Sequence, residues 1–265
     1  MIGLGTLGAL QISALLAAAL LVGFSKTAIS GVSAISVALF ASVLPAREST
    51  GALLPLLLVG DVVAVRAYRR HTDWPALLRL FPSVAVGVLV GAVFVAQVDD
   101  IVMRRTIGGF LLAMAVYHVW QKRRRREDVP DAGPDRGPDA GPDAGPRRPH
   151  HGRALVFGLL AGFTTMVANA GGPAMSLYLL SAGYTMLGFL GTGAWFFLIV
   201  NLFKLPFSVG LGLIDGQSLA RDALLAVAVL AGAYIGRIVV HRIDQKLFER
   251  LVLLFTVLAS VNLLR

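Results

Sequence analysis

The chain contains no cysteine, which excludes disulfides, thiol nucleophiles and thiolate-held metals. Charge is scarce too. Asp, Glu, Lys and Arg make up 15% of the residues, against about 25% in an average soluble domain. No Gly-x-x-x-x-Gly-Lys-Ser/Thr stretch occurs, so there is no phosphate-cradling loop to power an ATP motor. The histidines are His71, His118, His150, His151 and His241. No two are spaced to hold zinc on one helix face, and the adjacent pair lies in a segment unfit to fold. Gly23-Phe24-Ser25-Lys26 is not a nucleophile elbow. The sequence therefore reads as a non-enzyme, with no cofactor and no metal. Met1-Ile2-Gly3-Leu4 lacks the charged region of a secretory signal, so the first apolar segment is expected to be retained.

What is present is apolar: 56% of the residues are hydrophobic and mean hydropathy is +0.75. Residues 7–44 hold a single charge, Lys26, in 38 positions. As helix that stretch would be about 57 Å long, enough for two crossings of a hydrocarbon core about 30 Å thick. Apolar segments follow at 7–23, 29–44, 50–67, 75–96 and 101–120, then at 154–167, 173–188, 190–209, 219–236 and 248–264. The expected fold is all-α: a polytopic membrane protein of two repeats, each of about five segments. The first two segments of each half are short and read equally as half-helices or re-entrant hairpins, so eight to ten segments in all are compatible with the sequence.

Between the halves lies a different kind of sequence. Residues 121–152 read QKRRRREDVPDAGPDRGPDAGPDAGPRRPHHG, with four tandem Asp-x-Gly-Pro units. Proline and glycine at that density break helices, and nothing there fills a core. The expected organisation is a first membrane repeat at 1–120, a disordered linker at 121–152 and a second repeat at 153–265. The net charge of +9 would suggest nucleic acid in a soluble protein. Here the basic residues gather in a few loops: Arg66, Arg69 and Arg70; Lys122 to Arg126; Arg237, Arg242 and Lys246. That pattern places these loops and the linker in the cytoplasm of a cell-membrane protein. Both chain ends then lie outside, and halves with an odd number of crossings become inverted repeats.

The halves resemble each other in order. Gly23-Phe24-Ser25 matches Gly162-Phe163-Thr164, and Thr50-Gly51-Ala52 matches Thr192-Gly193-Ala194. Gly87 and Gly91 match Gly232 and Gly236.

Polar groups inside apolar segments are costly and usually face a cavity or a partner. Three clusters qualify. The first is 23–31, where Ser25, Lys26 and Thr27 sit between glycines that would allow a helix break. The free N–H groups of a broken helix attract anions. The second is 164–173, with Asn169, Gly171 and Gly172 ahead of Pro173, a residue suited to the first turn of a new helix. The third is 195–204, where Asn201 and Lys204 are three apart and share a helix face. Its aromatics read as lipid-facing or as an interfacial belt. Asp61 could pair with a lysine or carry a proton. The plainer readings are solvated turns for the first two clusters, a snorkelling Lys204 and an interfacial Asp61 near Arg66.

At these clusters the sequence resembles the TauE/SafE family of sulfite and organosulfonate exporters. The resemblance rests on Gly23-Phe24-Ser25-Lys26-Thr27, Pro45-Ala46-Arg47-Glu48-Ser49-Thr50-Gly51, Asn169-Ala170-Gly171-Gly172-Pro173 and Gly191-Thr192-Gly193-Ala194-Trp195-Phe196-Phe197, ending in Asn201 and Lys204. It spans both membrane halves and not the linker. It implies a permease exporting a small anion such as sulfite, a sulfonate or sulfoacetate. The expected partners are that anion and membrane lipid, with a homo-oligomer left open and no nucleic acid. Two rivals stay open: a membrane-embedded assembly subunit without transport, and a cation transporter using Asp61.

Overall fold

A computed structural model describes residues 8–27, 33–127, 151–182, 184, 186–239 and the single positions 257, 261 and 264. Among the described residues there are nine α-helices and no strand. They are α1 (Ala9–Thr27), α2 (Ser33–Val43), α3 (Ala46–Tyr68), α4 (Trp74–Gln97), α5 (Asp100–Glu127), α6 (His151–Ala168), α7 (Gly172–Ser181), α8 (Met186–Gly210) and α9 (Gly216–Val239). They follow the first nine expected segments in order. The tenth, 248–264, lies outside the described residues apart from the single positions.

Among the described residues, five helical stretches are long and apolar enough to cross a bilayer: Ala9–Thr27, Ala46–His71, Trp74–Gln97, Leu187–Gly210 and Ser218–Ile238. Helices α2 and α7 have 11 and 10 residues. At 1.5 Å per residue they cover about half of the hydrocarbon core. Large apolar side chains point outward as a lipid-facing protein requires. Leu78, Val90 and Val93 on α4, and Leu224 and Val227 on α9, are each more than half exposed. α3 is the central helix, with 61% of its apolar window buried against 39% for each of the other four. Pro55 lies inside α3, Pro82 inside α4 and Pro206 inside α8; membrane helices tolerate proline where neighbouring helices, side chains or local adjustments re-satisfy the backbone groups it frees. Asp73 caps α4: its carboxylate accepts from the Ala76 N–H at 3.1 Å, and Pro75 fills the first turn.

Glycines set the closest helix contacts. On α1, a Cβ at Gly23 would overlap the Val229 carbonyl of α9; on α9, one at Gly232 would overlap the Leu20 carbonyl. Gly236 faces Phe24, so α1 and α9 run parallel. The same contacts recur between α4 and α6. Gly162 meets the Val84 carbonyl, Gly87 the Leu159 carbonyl, and Gly91 faces Phe163, so that pair is parallel as well. Small residues let backbones approach where lipid supplies no hydrophobic drive between helices. By contrast α3 and α8 are antiparallel: Gly51 packs on Leu213 just beyond α8, and Gly191 near the start of α8 packs on Tyr68 and His71 at the far end of α3.

Two boundaries differ from expectation. α5 continues to Glu127 and α6 begins at His151, so both helices enter the stretch 121–152; the intervening 128–150 lie outside the described residues. The break expected across 23–31 does not start at Gly23. α1 stays helical to Thr27, because Gly23 is used for packing on α9 rather than for bending. Residues 28–32 lie outside the described residues.

Candidate functional site

Four helices bring the buried polar residues of the three clusters together. Asp61, fully buried two turns before the end of α3, forms an ion pair with Lys26 Nζ at 2.6 Å and accepts from Asn201 Nδ2 at 2.6 Å. Lys26 comes from the last turn of α1, and its ammonium also lies 4.4 Å from the centroid of the Phe197 ring, within cation–π range. Asn201 turns its carbonyl oxygen to Lys204 Nζ at 3.5 Å. Its amide thereby links the carboxylate to the second lysine.

Lys204 is 1% exposed. It donates to the Thr165 carbonyl at 2.6 Å and to Asn169 Oδ1 at 2.7 Å, with Thr165 Oγ1 at 3.4 Å. These partners are neutral oxygens that can accept, the surroundings suited to an ammonium with three donors. Asn169 ends α6 at φ 50°, the left-handed conformation that asparagine accepts more readily than most residues. Its Nδ2 donates to the Thr50 carbonyl at 3.0 Å, and Thr50 Oγ1 donates to the Val167 carbonyl at 3.3 Å. The chain of contacts runs Lys26, Asp61, Asn201, Lys204, Asn169, Thr50, crossing from the first half to the second and back.

A cavity of about 60 Å³ opens beside this network, room for a few waters or one small ion. Ser25, Lys26, Asp61, Thr165, Asn169 and Asn201 line its polar side, and Met175, Leu179, Phe189 and Phe197 its apolar side. Gly172, the first residue of α7, also lines it.

Several expected site residues are placed differently. Thr27 does not line the cavity; its hydroxyl donates to the Ala233 carbonyl of α9 at 3.0 Å. Gly171 packs against Ala161 and Thr165 behind it. Lys204 reaches the cavity only through Thr165, Asn169 and Asn201. Ser25 lines the cavity while its hydroxyl donates to the Val22 carbonyl at 2.8 Å. Three of the residues missed as site members stand out. Thr165 lies four before Asn169, and Phe197 four before Asn201; that spacing puts each pair on one helix face and could have identified both. Gly60 is a third, since a Cβ there would lie 2.9 Å from Lys26 Cγ. Outside the bilayer-crossing helices, Tyr184 donates to Asp73 Oδ2 at 2.6 Å. Burial, then that carboxylate, push its phenol above the ordinary tyrosine range.

The sequence model of the family described as Sulfite exporter TauE/SafE matches residues 15–263. No curated protein and no solved structure gives a match.

Proposed function

The chain belongs to the sulfite exporter TauE/SafE family, a family of membrane transporters, and on that premise we propose that it exports a small oxyanion by alternating access. The observation that carries this reading is the buried network itself, in which Asp61 pairs with Lys26 and is linked through Asn201 to Lys204, beside a cavity at a helix break. Charges in a membrane interior are expensive and are kept there for a substrate or ion path. Lys26 supplies a cation at the cavity wall. The first turn of α7, at Gly172, adds the positive end of a helix. No nucleotide loop occurs in the sequence, so the anion's gradient, the membrane potential or a coupled ion drives transport. A negative interior favours anion efflux by about 2.3 kcal/mol per charge per 100 mV.

The moving parts in this reading are two inverted repeats. Its support is the matched glycine contacts, with α1 parallel to α9, α4 parallel to α6, and α3 antiparallel to α8. A two-fold axis in the membrane plane relates such pairs, and the cavity lies where the halves meet. The matching orientation has cytoplasmic residues 128–150 and external ends. Epitope tags at Met1 and Arg265 should both be labelled on intact cells; labelling of only one would remove the inversion.

The transport test uses the purified chain alone in liposomes, with sulfite, alkanesulfonates and carboxylates offered against sodium and potassium. Anion flux is expected. A membrane protein that binds but moves nothing would favour the assembly-subunit reading, and cation flux would shift the role to Asp61.

A further inference from the structure

We propose that the site is matched to a singly charged anion, and that Asp61 sets that valence. The proposal deepens the anion-transport reading and rests on it. In the hydrogen-bonded network the ionisable groups are Lys26, Asp61 and Lys204. With Lys26 and Lys204 as ammonium groups and Asp61 as a carboxylate, the charges of this network among the described residues sum to one net positive charge. The other members, Asn169, Asn201, Thr165 and Thr50, are neutral.

Burial makes this count matter. Asp61 is 0% and Lys204 1% exposed, so no bulk water screens them, and an uncompensated charge in such a place is costly. A monoanion brings the site to neutrality. A dianion would leave one excess negative charge in a cavity that Asp61, 2.6 Å from Lys26, already lines with a carboxylate. The carboxylate therefore does two things. It holds Lys26 against the cavity, and it cancels one of the two lysines, so that a doubly charged oxyanion of the same shape is disfavoured. Asn201 fixes this arrangement, because its amide can satisfy a carboxylate with its NH₂ and an ammonium with its carbonyl at the same time. The Phe197 ring closes the remaining side of Lys26 and offers an apolar surface suited to the carbon substituent of a sulfonate.

Two tetrahedral anions that differ by one methyl group in place of one oxygen test the idea: methanesulfonate, a monoanion, and sulfate, a dianion. Binding to the purified full chain is measured by titration calorimetry at neutral pH in a buffer free of competing small anions. Methanesulfonate is expected to bind about tenfold or more tightly than sulfate. Asp61→Asn raises the count to two positive charges with nearly unchanged shape. It should move the methanesulfonate-to-sulfate ratio toward sulfate by about tenfold or more. Lys204→Gln lowers the count to zero and should weaken methanesulfonate by about the same factor, which serves should Asp61→Asn fail to fold. Equal or better binding of sulfate by the natural chain overturns the proposal, as does a ratio that Asp61→Asn leaves unmoved. Binding of neither anion would instead overturn the anion reading beneath it, so the two failures are told apart.

Discussion

A Lys26→Met protein is expected to bind its anion about a hundredfold more weakly than the natural chain, or worse, and to give no measurable flux. The charge lost is the cation at the cavity wall, and removing a charged partner from a desolvated contact typically costs about 2–5 kcal/mol. Loss of flux alone would be ambiguous, because the substitution also strands Asp61. That carboxylate is wholly buried and would keep only the Asn201 amide of its two contacts. Breaking a buried ion pair from one side costs about 3–5 kcal/mol of stability, so the single variant should unfold at a lower temperature. Lys26→Met combined with Asp61→Asn removes both charges and should recover most of that loss. It should still transport nothing. Lys26→Arg keeps the charge but carries a planar fork in a slot shaped by Gly60 and Phe197, and should transport poorly. Thermal unfolding in detergent and flux in liposomes separate the two effects. Normal flux by the well-folded double variant would show that Lys26 serves only to neutralise Asp61.

The parts of this protein legible in its sequence were those with local signatures. Long apolar runs marked the helices, because a bilayer demands about 20 such residues in a row. Lys26 stood out by its isolation in such a run. Glycines recurring in the same order in both halves are legible as a pattern, but their use is not: at Gly23 the expected break is a close helix contact instead. A glycine that permits a bend and one that permits close approach look alike until the neighbouring helix is known. The rest depended on contacts between distant residues. Asp61 and Lys26 are 35 positions apart in sequence, and Asp61 and Asn201 are 140 apart. No periodicity pairs them. The sequence places Thr27 beside Lys26 as a candidate ligand, but neighbours on a helix point about 100° apart, and its hydroxyl faces α9. The same limit concealed Arg221. It lies where basic residues are few, and its partner is on the other half of the chain.

That partner is Glu48, and Arg221→Met is expected to cost about 3–5 kcal/mol of stability. Arg221 Nη1 meets Glu48 Oε1 at 2.8 Å, and its Nε lies 3.5 Å from Asp222 Oδ1. Arg221 and Asp222 are 2% exposed and Glu48 7%, so water cannot take over the guanidinium's role. The variant would leave two buried carboxylates next to each other without it. Replacing all three charges, by Glu48→Gln, Arg221→Met and Asp222→Asn, should recover most of the unfolding temperature, since uncharged groups no longer require the cation. The pair ties α3 to α9 beside the Gly51–Leu213 contact, at the end of α3 opposite Arg66 and Arg69. The match of Thr50 with Thr192 and of Gly87 with Gly232 puts Leu190 where the other half has Glu48, and Ala76 where it has Arg221. The matched positions of the other half thus hold no counterpart of this charged pair. If the halves rock against each other, the charged end costs more to open, and the triple variant should open it more readily. Labelling of a cysteine introduced at Ser49, in a chain that has none of its own, reads that opening from outside. Faster labelling in the triple variant than in the natural background is the expected result. An unchanged unfolding temperature in Arg221→Met would mean that the charges are already satisfied by other groups, and that the joint between the halves lies elsewhere.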